Sequence, residues 1–430
     1  MINIFRQAWA QLKAQKMLGI ISIVGTALAI FLIMVVVMLQ QVKVVPFAPE
    51  SNRDRLLHAS MASIKTVDGA DNYFESNGPL SYESARKLFY ALETPEAVSI
   101  YEPGTSTAPV SLPASQAVSV DIRNTDDNFW KVFDFSFVSG KPYDKAAFDS
   151  GLAEAVICES VARRLFGSVD VAGKEILINY VPYTVAGVVK DVSTLAGHAY
   201  ASVWVPFTST NMVNWTWNYD IMGSLGVTIL ARNRDDFDRI RHDYEENVRQ
   251  LNKEIESTGW EMITRNRPYD QEKEACGAWA NIEPDVEGAR RMRWIIFAIL
   301  LIVPAVNLSS MSESRLRRRV EEIGVRRAFG CRRGELFAGI VGENLVTTLI
   351  AGMLGWIMSV IFAWLFSSFL FTAPYSTVSV MPKVDITMLV QPSTFLWAIL
   401  FCFVLNLLST GLPAWRASRI NVVNALNAKL

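Results

Sequence analysis

The sequence predicts a membrane protein with four transmembrane α-helices and an α+β extracytoplasmic domain inserted between the first and second helices. Four apolar runs are each close to or above the roughly 20 residues that a helix needs to cross a bilayer. Residues 43–293, between the first two runs, contain no such run and are numerous enough for one or two domains. Hydrophobic residues make up 51% of the chain, more than in a typical soluble protein and less than in a pure membrane bundle.

The chain begins with a segment that we expect to lie on the cytoplasmic membrane surface. Within residues 1–16, the side chains of Ile2, Phe5, Trp9 and Leu12 share one helical face, and basic residues lie elsewhere. This pattern is typical of an interfacial helix that leads into a first span.

Residues 17–42 carry no charge and form the predicted first span. The run is longer than the roughly 7–15 apolar residues of a signal peptide, so we expect a retained helix. Gly25 with Ala29, and Ala351 with Gly355 in the third span, have the spacing of small residues that lets helices pack closely. Contact with lipid is the alternative for these residues. Close packing would allow two copies of the chain to associate through these spans.

The inserted domain shows mixed α and β patterns. Predicted strands lie at residues 117–122, 175–178 and 183–189, with Val181 and Pro182 expected in a hairpin connection. Predicted helices lie at residues 81–92, 159–165 and 235–255, and Gly167 is expected to end the second of them in a left-handed conformation.

The cysteines and histidines of the inserted domain suggest no metal site. Cys158 and Cys276 share a compartment and can either pair or remain two free thiols, and we expect two free thiols. His58, His198 and His242 are far apart in the sequence, and we expect them at the surface or in loops.

The second half of the chain alternates three further spans with loops. The predicted segments are a second span at 294–312, a cytoplasmic loop at 313–335, a third span at 336–366, an outside loop at 367–394, a fourth span at 395–412 and a cytoplasmic tail at 413–430. Pro304 is expected to kink the second span. Glu343 lies near the cytoplasmic end of the third span, where we expect it to pair with an arginine.

The loop at residues 313–335, which we call the basic loop, has the highest charge density of the chain. Eight arginines fall between positions 315 and 333, directly between two apolar runs. Because arginine is enriched in short cytoplasmic loops, this segment is predicted to be cytoplasmic, together with both termini.

The basic loop also has an amphipathic pattern. Val320, Ile323, Val325, Ala328 and Phe329 recur at near-helical spacing among the arginines. This predicts a short helix that a partner protein can contact. A loop that only touches lipid headgroups is the alternative that spacing leaves open.

Motifs in both halves of the chain resemble MacB/FtsX-type ABC transporter permeases. Residues 322–330, which read EIGVRRAFG and are soon followed by two arginines, resemble the cytoplasmic coupling loop of these proteins. The tail at 413–426 resembles their C-terminal segment. The segments that resemble the MacB-like extracytoplasmic core domain are 138–142, 155–167, 171–174, 183–191 and 203–206.

This resemblance implies a non-catalytic permease subunit of the bacterial inner membrane, working as a homodimer or heterodimer with an ABC ATPase on a separate chain. It implies mechanical transmission of ATPase motion to the outer domain, for efflux or export of an antibiotic, peptide or lipoprotein-like cargo. A periplasmic adaptor is a further implied partner. A membrane-anchored regulator or sensor of the FtsX type, without transport, is the alternative.

The resemblance also assigns residues to the ATPase contact: Glu322, Ile323, Gly324, Val325, Arg326, Arg327, Phe329 and Gly330. Among them, we expect Ile323, Val325 and Phe329 to be the apolar anchors, because buried apolar and aromatic side chains carry most interface energy. Arg326 and Arg327 are expected to orient the contact.

Motifs for other chemistry are absent from the 430 residues. There is no G-x-x-x-x-G-K-[ST], no H-E-x-x-H and no G-x-S-x-G. We therefore expect no catalytic site, cofactor or metal in these residues, and the net charge of −1 gives no indication of nucleic-acid binding.

Overall fold

The computed structural model describes residues 16–67, 73–277, 279–371 and 386–419. The interfacial helix expected over residues 1–16 therefore lies almost entirely outside the described residues, as does the end of the tail. Two compact units are present. We call them the helical bundle (described residues up to 42, 287–370 and from 386) and the inserted domain (43–286).

The helices of the described residues are, in chain order, α1 (Lys16–Val44), α2 (Tyr82–Ala85), α3 (Phe129–Val132), α4 (Lys145–Asp149), α5 (Glu159–Phe166), α6 (Phe237–Ile255), α7 (Gln271–Cys276), α8 (Val286–Arg317), α9 (Val320–Ala328), α10 (Arg333–Leu365), α11 (Ser367–Phe371), α12 (Ile386–Leu389) and α13 (Pro392–Ser418). Helices α1, α8, α10 and α13 are long and apolar enough to cross a membrane. The prediction of four spans around an inserted domain is confirmed. Each of these four helices extends beyond its predicted apolar run at one end or both.

The strands are β1 (Leu56–Ala59), β2 (Ala62–Thr66), β3 (Glu75–Gly78), β4 (Ala97–Tyr101), β5 (Ser106–Ser111), β6 (Val118–Thr125), β7 (Phe137–Gly140), β8 (Glu154–Cys158), β9 (Glu175–Ile178), β10 (Val181–Val189), β11 (Val203–Pro206), β12 (Gly226–Leu230), β13 (Trp260–Ile263) and β14 (Tyr269–Asp270). All lie in the inserted domain. Strands β6, β9 and β10 correspond to the three predicted strands.

Six strands of the larger sheet pair in a closed ring, in the order β11, β8, β10, β9, β5 and β6. The pairs β8–β10 and β6–β11 are parallel, and the others in the ring are antiparallel. The sheet continues from β6 through β4, β12 and β1 to β14. Apolar side chains such as Trp204, Val156 and Val188 fill the ring, and helix α6 covers a second core against β1, β4 and β12.

The hairpin between β9 and β10 corrects one expectation. The turn is formed by Asn179 and Tyr180, whose φ angles are 49° and 67°, and not by Val181 and Pro182. A two-residue turn of this type needs positive φ at both positions. The ring of Pro182 fixes its φ at a negative value, so this residue joins the strand instead.

Helix ends in the inserted domain follow the sequence signals. The Ser81 hydroxyl accepts a hydrogen bond from the Ser84 amide at the start of α2. Gly167 ends α5 with a φ of 70°, in the left-handed conformation expected. Cys158 and Cys276 are both free thiols.

The helical bundle is held by close helix contacts. Ile30, Ile33 and Met34 of α1 share a core with residues of α8 and α13. Helix α10 approaches α13 at Gly352, where an added Cβ would lie only 2.0 Å from the Cys402 sulfur. Helix α8 remains helical through Pro304.

Candidate coupling surface

The basic loop folds around helix α9, which begins and ends where its charges favour it. Glu321 and Glu322 occupy the first turn, and Arg326 and Arg327 occupy the last turn. Both placements complement the helix dipole. The helix begins two residues before the predicted segment, and Gly330, with a φ of 93°, lies just past its end.

One face of α9 is buried in the helical bundle. Ile323 is only 4% exposed, and its neighbour Gly324 is also buried. The Ile323 side chain belongs to an apolar cluster with Leu316, Leu336, Ile340, Ala414 and Ala417, which lie on α8, α10 and α13. The sequence led us to expect that Ile323 anchors a partner. Its buried side chain is not available for that contact. Its side chain holds α9 onto the bundle.

The opposite face of α9 carries apolar side chains that are exposed on the protein surface. Phe329 is 89% exposed and Val325 is 44% exposed. They are four residues apart, and the Phe329 amide donates to the Val325 carbonyl at 3.1 Å. Residues at this spacing are neighbours on a helix surface. The exposed face therefore carries an aromatic and an aliphatic side chain side by side.

Four charged side chains connect α9 to the third span. Arg319, in the turn before α9, donates from Nε and Nη2 to both carboxylate oxygens of Glu322, at 2.7 and 3.0 Å. Its Nη1 donates to Glu343 Oε2 at 2.9 Å. Glu322 also accepts from Arg326 Nη2 at 2.6 Å. The pairing of Glu343 with an arginine is confirmed.

These contacts favour the charged forms of Glu322 and Arg319. The hydrogen bond from Arg319 is the main cause that lowers the pKa of the Glu322 carboxyl below its usual value. Burial alone would lower the pKa of Arg319, but its hydrogen bonds to Glu322 and Glu343 raise it instead. Arg319 was not singled out by the sequence. Its position three residues before Glu322, a spacing at which opposite charges pair on a helix, is the signal that would have identified it.

The four residues predicted for close helix packing lie in two different settings. Ala29 and Ala351 are buried, and an added Cβ on Gly355 would lie 2.4 Å from the Ala27 carbonyl oxygen. These three residues therefore face the interior of one chain, which does not fit a contact between two copies. Gly25 has no atom near the position of an added Cβ and stays exposed.

A second polar cluster lies inside the inserted domain. The rings of His58 and His198 stack with centroids 4.0 Å apart. His58 is fully buried and His198 is half-buried. Tyr101 bonds His198 at 3.0 Å and Thr228 at 2.7 Å. The expectation that these two histidines are surface or loop residues is wrong for His58, which is buried in strand β1. His198 lies in a loop and is half-buried.

The same cluster extends to Gln271 and Lys43 within the inserted domain. His58 Nδ1 lies 3.1 Å from Thr228 Oγ1, and its Nε2 lies 2.9 Å from Gln271 Oε1. The Gln271 amide donates to the Lys43 carbonyl at 2.9 Å. Burial is the main cause that lowers the pKa of both histidines, to about 3. Across the part of the chain that the structure describes, no group of three His, Cys, Asp or Glu residues is placed to hold a metal ion.

Comparison with known families decides the identity of the chain. The family model of the MacB-like periplasmic core domain matches residues 17–246, which is more than half of the chain. The model of the FtsX-like permease C-terminal region matches residues 294–422. The chain belongs to the MacB/FtsX-type family of ABC transporter permeases. The family recognised from the sequence motifs is confirmed.

Individual relatives are distant. The macrolide export ATP-binding/permease protein MacB 1 of Yersinia pestis bv. Antiqua is 23% identical over 384 residues, covering 87% of this chain and 49% of that protein. The uncharacterized ABC transporter permease YknZ of Bacillus subtilis is 21% identical over 364 residues, covering 81% of this chain and 83% of that protein. The permease thus spans about half the length of its MacB relative.

Among solved structures, the periplasmic region of MacB from Actinobacillus actinomycetemcomitans is similar at a TM-score of 0.33 and 15% identity, covering 48% of this chain and 89% of that structure.

In the permease, the region matched by the FtsX-like model contains α9 and both helices that flank it. The candidate coupling surface on α9 therefore lies within the region that the FtsX-like model matches.

Proposed function

We propose that the permease is the membrane component of an ATP-driven ABC transporter, and that α9 receives motion from an ABC ATPase. The ATPase is not within the 430 residues, which contain no phosphate-binding loop. The observation that carries the proposal is the two-sided construction of α9. One face is fixed to the helical bundle through Ile323, and the other exposes Val325 and Phe329.

The exposed face has the composition of a binding surface. Phe329 is 89% exposed, so most of the 150–250 Å² that an aromatic side chain can bury stays in contact with solvent. Contact with an apolar groove would recover this area. Arg326 and Arg327 flank the two apolar side chains and would guide an acidic partner to the correct orientation.

The same arrangement supports mechanical transmission. In the proposal α9 and both termini are cytoplasmic and the inserted domain lies outside, in agreement with the arginine distribution. Movement of α9 would then reach the bundle through the packed side chains that surround Ile323. Export of a cargo through motion of the inserted domain is the function that follows. A permease that instead regulates without transport would keep the ATPase contact and lack export.

Substitution of the exposed face tests the ATPase contact. Phe329→Asp should weaken binding of the ABC ATPase by about 30-fold or more, since an interface hot spot contributes about 2 kcal/mol or more. The side chain is exposed, so folding should be retained. The matched control is Tyr180→Asp, which changes an aromatic residue that is 78% exposed in the inserted domain.

The measurement is co-purification in mild detergent, with the bound proteins identified by mass spectrometry. An ABC ATPase should be recovered with the wild type and with Tyr180→Asp, and it should be lost with Phe329→Asp. Equal recovery of the ATPase with all three proteins would refute the role of α9. An export assay in a deletion strain then separates transport from regulation.

A further inference from the structure

Arg319 occupies the break between two helices. Helix α8 ends at Arg317 and α9 begins at Val320. The Arg319 amide donates to the Leu316 carbonyl at 3.0 Å, and its carbonyl accepts from the Ile323 amide at 3.0 Å. The backbone of this one residue therefore ends one helix and begins the next. A break of two residues is a point where α9 can pivot relative to α8.

The Arg319 side chain crosses this break to the third span. Glu343 is the eleventh residue of α10, about 15 Å from the start of that helix at 1.5 Å per residue. Its side chain is only 5% exposed, and that of Arg319 is 21% exposed. Three nitrogens of one guanidinium thus join the first turn of α9 to a buried site within α10.

The geometry of these bonds differs from that of the apolar contact beside them. Packing of Ile323 is non-directional and tolerates sliding of one helix on another. A planar guanidinium that bonds two carboxylates at once fixes both distance and orientation. Lysine cannot reproduce this fork, because its ammonium is a single point of charge on a flexible stem.

We propose that Arg319 is a positioning residue that locks α9 to α10 through Glu322 and Glu343, so that displacement of α9 moves the third span. The inference rests on the proposed function, because the displacement comes from the ATPase. Without the lock, α9 would turn about the break at Arg318 and Arg319, and the movement would be lost there. Arg326, bonded to Glu322, extends the lock toward the exposed face.

The test needs a variant that removes the lock and keeps the fold. Arg319→Met alone leaves a buried carboxylate without this partner and is expected to destabilise the bundle. The double variant Arg319→Met with Glu343→Met removes both charges, and replacement of a buried ion pair by apolar side chains is often neutral for stability. Arg317→Gln is the matched control, since it removes one arginine whose pair with Glu313 is exposed.

The first measurement requires no ATPase. Hydrogen–deuterium exchange of residues 320–328 is followed in the purified full chain in detergent. In the double variant, with its melting temperature near that of the wild type, the amides of α9 should exchange about tenfold faster or more, equivalent to about 1.4 kcal/mol. Arg317→Gln should exchange like the wild type. Unchanged exchange in the double variant would overturn the lock.

The second measurement uses the complex with the ABC ATPase that co-purifies with the wild type. Addition of ATP should change the exchange of residues 333–343 in the wild type and in Arg317→Gln. In the double variant the ATPase should still bind through Phe329, but this change should fall to about a tenth or less. Arg319→Lys should resemble the double variant in this measurement. If ATP changes the exchange of residues 333–343 as much in the double variant as in the wild type, the proposal is overturned. Failure of the proposed function would look different, because no ATPase would be bound to the wild type.

Discussion

Arg319 Nη1 lies 2.9 Å from Glu343 Oε2, so the turn between α8 and α9 is bonded to a point about three turns inside α10. A carboxylate in a membrane helix is costly unless it is paired. Here the pairing partner comes from the basic loop itself. The arginines of this loop thus have two roles. They orient the chain across the membrane, and Arg319 attaches α9 to α10.

Replacement of Gly355 by alanine should destabilise the helical bundle. An added Cβ would lie 2.4 Å from the Ala27 carbonyl oxygen, so α1 and α10 must move apart. We expect a loss of about 1–3 kcal/mol, as for other overpacked sites. The matched control is Gly339→Ala in the same helix, where no atom lies within 4 Å of the added Cβ.

The control should be neutral or stabilising by up to about 1 kcal/mol, because alanine favours helix more than glycine does. Thermal unfolding of both variants in detergent, followed by circular dichroism, checks this pair. Equal melting temperatures for the two variants would mean that the close approach of α1 and α10 is not formed.

The stacked histidine pair should stay neutral in mildly acidic solution. Burial is the main cause that lowers the pKa of His58 and His198 to about 3. The ring of His198 lowers the pKa of His58 further, whereas Glu274 and Glu50 raise it. Arg123 and Arg53 lower the pKa of His198 further. In the unfolded chain both would titrate near 6.5. Between these values the unfolded state binds protons that the folded state does not bind.

The two histidines should therefore lower the free energy of unfolding as the pH falls from 6.5 toward 3, by about 1.4 kcal/mol per pH unit for each. The direct check is NMR of the full chain, labelled with ¹³C at the Cε1 atoms of its three histidines. The resonances of His58 and His198 should hold their positions from about pH 7.5 to about pH 4.5. Midpoints near 6.5 for both would show that the surroundings of the stacked pair do not lower its pKa values.

The native cysteines offer a test of membrane topology without added residues. Cys276 in the inserted domain and Cys331 beyond α9 are both half-buried free thiols, whereas Cys158 and Cys402 are buried. An impermeant maleimide should label Cys276 in intact cells and label Cys331 only after lysis. A Cys276→Ser variant provides the control for assignment. Labelling of Cys331 in intact cells would reverse the proposed orientation.

Features with a local signal were predictable from the sequence. The four spans follow from runs of apolar residues, and α9 follows from its spacing of apolar residues and arginines. Gly167 was identified as a helix end because glycine has no Cβ and adopts the left-handed conformation easily. This preference depends on the residue itself and not on distant contacts. The pairing of Glu343 was also foreseeable, since a carboxylate near eight arginines has partners within reach.

Features that depend on contacts between distant segments were not. Ile323 and Phe329 look alike in an amphipathic pattern, and only the packing of α10 and α13 shows that one is buried and the other exposed. The stacked rings of His58 and His198 come from a strand and a loop that are 140 residues apart in the chain. Spacing of Ala351 and Gly355 indicated close packing but not that the partner helix is α1 of the same chain.

The most direct test of the central claim is photo-cross-linking at α9 in living cells. A photoreactive phenylalanine analogue at position 329 should give a covalent product with an ABC ATPase, because this side chain lies on the exposed face. The same analogue at position 180, in the inserted domain, should give no product with the ATPase. The account predicts a cross-linked ATPase product at position 329 and none at position 180. The absence of any ATPase product at position 329, with normal expression of the permease, would contradict it.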